Sequence, residues 1–362
     1  MNQEWLARDL LEQHSVDMRQ FIDFRQVTFE NGSRIVEAYN SSGLTFSVLP
    51  DRGLDIWTAH YKGIPLTWIS MGSPHPPDFG QNWLWQFNGG LVTTCGLTHA
   101  GGWEDDAITG EKRGLHGNIS QLRAYHVNVQ GEWSHDHYAM TLSGVISEGR
   151  LSGEQLRLHR TYRMSLGQPV IEIEDRVQNR GDRPAPLMLL YHINLGYPLV
   201  RAGARLHTPS HAVYPRDEVA RPGFDRWPDY DAPTAQYPQQ VFFHHLNANA
   251  EGVSRIALAQ DDFGLEVEWD TSTLPYFTQW KNTCQGMYVS GVEPGNCIPE
   301  GQNAARDHGR LVHLEPGEDQ TFRVRLAVLD GAEAVQCCLA EIYELRHSGS
   351  PVSGCRLDEM RE

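Results

Sequence analysis

From its first thirty residues onward the chain is cut at short intervals by turn signals, and the runs between them alternate apolar with polar residues. That pattern confines it to antiparallel β structure. Asn31-Gly32 separates a Val/Thr/Phe run from an Ile/Val run, so residues 25–39 read as a hairpin. Strands are expected at 45–49, 55–60 and 64–69, the last two joined by a turn at Lys62-Gly63. A second hairpin, 156–165 with 170–178, turns at Gly167-Gln168-Pro169, and Ile171 and Ile173 alternate there with Glu172 and Glu174. Phe322, Val324, Leu326 and Val328 alternate with Arg323 and Arg325, a strand with one wet face. Helices are predicted only at the ends, over 4–14 and 332–346. With no βαβ rhythm, the expected architecture is all-β, a sandwich of large antiparallel sheets with short terminal helices.

The 362 residues contain no spacer, repeat or low-complexity block, so one domain is expected over 1–346, including an N-terminal helical extension over about 1–20. The tail, 347–362, is rich in Ser, Gly and charge and reads as flexible. A formal charge of −16 without basic runs excludes a phosphate-backbone partner, hence no nucleic acid. The first residues interleave charge with apolar groups, and no later stretch is apolar enough to span a bilayer, so a soluble cytoplasmic protein without membrane contact is expected. Six cysteines without Cys-x-x-Cys spacing read as reduced thiols.

Three short motifs carry the chemistry. His116 lies in Gly114-Leu-His-Gly-Asn118, where flanking glycines project the imidazole from a turn. His192 follows the apolar run 187–191, which delivers a polar ring to a strand that is otherwise core. Glu293 stands before Pro294-Gly295, and a carboxylate fixed at a strand end and partly desolvated has a pKa moved toward the working pH, as a general base requires. Read singly, each also fits a structural group with a satisfied hydrogen bond. The segment 80–117 adds aromatic faces and multidentate polar groups suited to a sugar, namely Trp83, Trp85, Phe87, Asn88, His99, Trp103, Arg113 and His116. Arg52 in a strand-to-strand turn reads either as a solvated corner or as a clamp for hydroxyls or a carboxylate. Trp280 and Lys281 are candidates for ring stacking and for an acidic or phosphorylated substituent, with strand packing as the alternative. His135 and His137, or His244 and His245, lack a third ligand, so no metal site is expected, and no nucleotide fingerprint appears.

Taken together these residues resemble the aldose 1-epimerase (galactose mutarotase-like) superfamily over about residues 27–330, in an uncharacterised branch of it. Leu115-His116-Gly117 matches that family's Leu-His-Gly motif, Tyr191-His192-Ile193-Asn194-Leu195 resembles its second histidine motif, and Glu293 occupies the place of its late glutamate. The resemblance implies a super-sandwich fold with a sugar on an open concave face, and an isomerase that needs no cofactor. In such a reaction Glu293 takes the proton of the anomeric hydroxyl, His192 protonates the ring oxygen, and His116 holds or polarises that oxygen. Rotation of the open aldehyde and reclosure give the other anomer. Where the family has Gly-Arg-x-x-Asn-Arg this chain reads Leu91 to His99, and where it has Phe-Asp-His this chain reads Phe242-Phe243-His244-His245. The residues that select the sugar therefore differ. Arg52, Asn88, His99, Arg113, His245, Trp280 and Lys281 are the candidate substrate contacts. A small-molecule carbohydrate is the implied partner, and a homodimer is left open as the assembly. Epimerisation of a sugar acid or keto sugar, or sugar binding without turnover, remain the alternatives.

Overall fold

A computed structural model describes residues 3–355 and 357. Two large antiparallel sheets face one another. The eight-stranded sheet runs, in order of pairing, Arg205–His207, Val253–Ala259, Phe263–Asp270, Asp319–Asp330, Val170–Asn179, Gln155–Ser165, His137–Gly149 and Tyr125–Ser134. The seven-stranded sheet runs Ser210–Pro215, Gln240–Ala248, Tyr276–Cys284, Met287–Gly295, Leu190–Leu195 and Thr93–Cys95, with Ser350–Pro351 paired to Gln240–Ala248 off that path. A five-stranded N-terminal sheet, Ile22–Thr28 to Ile64–Pro65, closes one side.

Strand alternation builds the core. Ile171, Ile173 and Val177 of one sheet and Tyr191, Ile193, Phe277 and Val292 of the other belong to one buried cluster, and Trp269 stacks on Phe277 with ring centroids 5.5 Å apart. The intervening residues point outward and are free to be polar. In the eight-stranded sheet they pair as Arg163 with Glu172 at 3.6 Å and Arg323 with Glu174 at 3.0 Å.

The predicted hairpin at 25–39 is present, Val27 opposite Ile35 and Thr28 opposite Arg34. The strand expected over 64–69 shrinks to Ile64–Pro65, because the amides of Leu66 and Trp68 turn to Ala59 and Asn194. Helices Arg8–His14 and Ala332–Ser348 fill the two predicted regions, the second burying Val335, Cys338 and Ile342 against Ala257, Ala259 and Leu329. Among the described residues no helix is long and apolar enough to cross a membrane.

The tail corrects an expectation. Residues 347–362 read as flexible, yet Ser350 and Pro351 pair with Ala248 and Asn247. The Tyr276 hydroxyl donates to the Gly354 carbonyl at 3.2 Å, and Leu357 is buried among Tyr214, Val241, Phe243, Tyr276 and Ile298. Polar composition set that expectation, but two strand pairings and one apolar side chain hold Ser350, Pro351 and Leu357 against the seven-stranded sheet. Arg356 and residues 358–362 of that stretch lie outside the described residues.

Candidate active site

The outer face of the seven-stranded sheet carries one transverse row of side chains. Tyr214 stands opposite Phe243, Phe243 opposite Thr278, Thr278 opposite Glu293, and His192 opposite Thr93. The row closes where Leu190–Leu195 pairs with Met287–Gly295, and there His192 Nε2 lies 3.2 Å from Glu293 Oε1. The contact is close, but its angles are not those of a hydrogen bond, and Glu293 Oε1 has no hydrogen-bond partner in the protein. His192 is 5% exposed and Glu293 2%.

His116 reaches the same place from a loop. Its backbone is left-handed, φ 56°. Its amide donates to Gly101 O at 2.8 Å and its carbonyl accepts from Gly96 N–H at 3.0 Å. A Cβ on the next residue, Gly117, would meet Gly96 O and His99 O at 2.4 Å, so the crossing requires glycine. The imidazole is thereby turned toward Trp83, 4.9 Å between centroids, and His192, 6.0 Å. Trp83 stacks on Phe87 at 4.3 Å, and Phe87 and Trp280 stand edge-on to His192 at 5.6 and 5.4 Å. Three aromatic rings thus collar the histidine, excluding water and offering apolar faces to a ring-shaped ligand.

Desolvation sets the charges. Burial pushes the Glu293 carboxyl up to about 8, opposed only by the positive charge of Arg216. It pushes His192 down to about 4 and His116 down to about 3, the latter helped by His192, His99 and Arg216. A neutral imidazole and a protonated carboxyl in contact hold one transferable proton between them. His116 Nδ1, His192 Nδ1, Glu293 Oε1 and Thr278 Oγ1 are all buried without a hydrogen-bond partner in the protein. Buried polar atoms are normally satisfied, so four orphans around one contact mark a place built for a polar ligand.

The other sequence candidates divide. Trp280 belongs to the site. Lys281, its neighbour in the strand, points to the opposite face, where Nζ donates to Arg226 O at 2.8 Å and to Asp229 O. Successive strand residues alternate faces, so the pair cannot serve one ligand together. Arg52 is buried and donates to three main-chain carbonyls, Ser120 at 2.7 Å, His75 at 2.8 Å and Gln86 at 2.9 Å, which ties down the loop bearing Trp83 and Phe87. Asn88 helps there, its Oδ1 accepting from His75 N–H at 2.8 Å. Arg113 is consumed by Asp106 at 2.7 Å and Glu104 at 3.2 Å. His99 Nε2 lies 2.8 Å from Gly102 O, which places this ring in the loop that carries His116. His245 shares the outer face but sits at its edge, against His211 and Tyr214.

Two residues escaped the sequence reading. Thr278 is the cross-strand neighbour of Glu293, and Gly291 leaves the space beside it, since a Cβ there would lie 2.6 Å from Glu293 Oε1 and 3.0 Å from Trp280 Cβ. Counting back by two from Glu293 and Trp280 finds both. A groove of about 540 Å³ lies on the outer face of the eight-stranded sheet. Its Arg163, Glu172, Glu174 and Arg323 are already paired with one another, so it lacks the orphaned groups of the His192 site.

Solved structures share the fold. A candidate aldose 1-epimerase from Klebsiella pneumoniae subsp. pneumoniae MGH 78578 is 24% identical and superposes with a TM-score of 0.81, covering 91% of this chain and 88% of that one. A galactose mutarotase-like protein from Clostridium acetobutylicum is 12% identical at TM-score 0.61 over 86% and 99% of the two chains. Galactose 1-epimerase from Lactobacillus acidophilus NCFM is 14% identical at TM-score 0.55 over 86% and 99%. No curated protein matches the sequence. The fold is therefore galactose mutarotase-like, and since the model of one family matches residues 30–328, the chain belongs to that family, described as Domain of unknown function (DUF4432).

Proposed function

We propose that this protein is a carbohydrate isomerase of the aldose 1-epimerase type, with His192 and Glu293 as its proton-transfer pair. The observation that carries the reading is the set of orphaned polar atoms around the His192–Glu293 contact inside an aromatic collar. Opening a hemiacetal ring removes a proton from the anomeric hydroxyl and delivers one to the ring oxygen. A pair holding a single proton does both: one member accepts as the other donates, and reclosure reverses the transfers. With burial favouring the proton on Glu293, the cycle starts with a protonated carboxyl and a neutral imidazole, so Glu293 donates to the ring oxygen and His192 takes the anomeric proton, the reverse of the roles the family resemblance implies, and reclosure restores the start. His116 lies beside the pair with an imidazole kept neutral, able to donate a hydrogen bond to the sugar without adding charge. Trp280, half-buried at the site, supplies a stacking face.

Anomeric exchange followed by saturation-transfer NMR across neutral and acidic sugars, in the native protein and in Glu293→Gln, tests the reading. Exchange accelerated for one sugar and lost in the variant is the expected result. If no sugar exchanges faster than in buffer, the isomerase reading fails for mutarotation. Deuterium entering a carbon position from solvent would then identify epimerisation at that carbon instead.

A further inference from the structure

The outer face carries one formal charge that neither the motifs nor the orphaned groups account for. Arg216 continues the edge strand Ser210–Pro215, and its amide donates to Val241 O at 2.9 Å. By alternation it falls on the side of Ala212 and Tyr214, in the lane that continues through Val241 and Trp280 to Gly291. Asp217 fixes its orientation. The Asp217 Oδ1 atom accepts the amides of Val219 and Ala220 at 3.1 and 3.0 Å, while Oδ2 takes Arg216 Nε at 2.9 Å. The side chain remains 40% exposed. A guanidinium held through Nε and Nη2 by a turn-locked carboxylate, and still partly exposed, is preorganised for a second planar anion.

Other cations near the cleft are committed elsewhere, Arg52 to carbonyls, Arg113 to Glu104 and Asp106, and Lys281 to the opposite face. Arg216 is also the cation whose field reaches both Glu293 and His116. Burial raises Glu293 and lowers both histidines, so the floor of the site carries little charge near neutral pH, and a bound sugar meets at the rim an arginine whose charge Asp217 already balances. The protein as a whole carries −16, which repels anions, and a local guanidinium is what would admit one.

Resting on the isomerase reading, we propose that the substrate is an acidic sugar bearing one carboxylate, and that Arg216 binds that carboxylate. Asp217 already balances the Arg216 charge, so one carboxylate adds a single negative charge at the rim whereas a phosphate dianion adds two.

The test measures kcat/KM for anomeric exchange of D-glucuronate, D-galacturonate, D-glucose, D-galactose and D-glucose 6-phosphate, with calorimetric binding of the same compounds, for the native protein, Arg216→Gln and Arg216→Lys. Expected is a preference of about tenfold or more for a uronate over its neutral counterpart and over the phosphate, cut at least about tenfold by Arg216→Gln and partly restored by Arg216→Lys. Equal handling of acid and neutral sugars by the native protein, a preference for the phosphate, or a preference that survives Arg216→Gln would overturn the proposal. If nothing exchanges, the isomerase reading falls by itself and binding still decides: uronate binding lost in Arg216→Gln upholds the anion site, and no uronate binding ends it.

Discussion

Two buried polar clusters lie back to back on the same strands, and they differ in whether their atoms are satisfied. Thr94 and Tyr191 face inward; Thr93 and His192, next to them in sequence, face outward. Inside, Arg160 donates to Asp175 at 2.9 and 2.6 Å, to Asp55 at 2.8 Å and to Gly53 O at 3.2 Å. Asp55 accepts from Thr94 Oγ1 at 2.5 Å, and Tyr191 Oη donates to Asp175 at 2.7 Å. Outside, His192, Glu293, His116 and Thr278 leave an atom each without a partner. The inner cluster is the deeper of the two, since His116 of the outer one is only half-buried. The inner cluster spends its hydrogen-bonding capacity on the fold, and the outer one leaves an atom of each group unused within the protein, as the proposed site requires.

The largest effect should come from Glu293→Gln, which keeps size and burial but removes the transferable proton. Exchange is expected to fall by about 10²–10⁴-fold with no loss of thermal stability, and near-normal turnover would remove Glu293 from the pair. Arg160→Ala should invert that outcome. It strands Asp55 and Asp175 as buried carboxylates and is expected to cost about 3–5 kcal/mol in urea unfolding, with kcat per folded molecule little changed; an undiminished midpoint would break the contrast between the clusters.

Gly291→Ala sharpens the comparison at lower magnitude. Its methyl would collide with Glu293 Oε1, 2.6 Å away, so kcat should drop by up to about 10²-fold while the unfolding midpoint moves little. The pH profile probes the shared proton. A one-proton pair predicts a bell with limbs near His192 at about 4 and Glu293 at about 8. Activity is lost below the lower limb, where His192 gains a second proton, and above the upper limb, where Glu293 loses the only one. A profile that keeps rising above the upper limb would show that the pair does not share a single proton. The smallest effect is expected on that upper limb in Arg216→Gln, which removes the positive charge that lowers Glu293 and should therefore shift the limb to higher pH.

Much of this was legible beforehand where the cause is local. The 25–39 hairpin follows from Asn31-Gly32, whose residues tolerate the turn. His116, His192 and Glu293 were visible because each breaks its context, a ring between glycines, a polar group ending an apolar run, a carboxylate before Pro-Gly. The structure brings all three together. Charged residues misled. Arg52 finds its carbonyl acceptors on Ser120, His75 and Gln86, distant positions that no local pattern announces. Lys281 was separable from Trp280 by alternation alone, yet its charge suggested a ligand. Arg216 shows no motif, and its relevance comes from lying in the lane of Trp280.

The sequence by itself determined several of the strands, the alternation of side chains within them, and three residues of the types a proton-transfer site would need, because alternation and turn chemistry act within a few residues. Only the tertiary structure decided which outward residues share a row, that His192 and Glu293 touch, and that burial raises the Glu293 carboxyl and lowers His192. Register joins strands separated by about a hundred residues, and desolvation depends on everything packed around a group, so neither can be read from a stretch of chain alone.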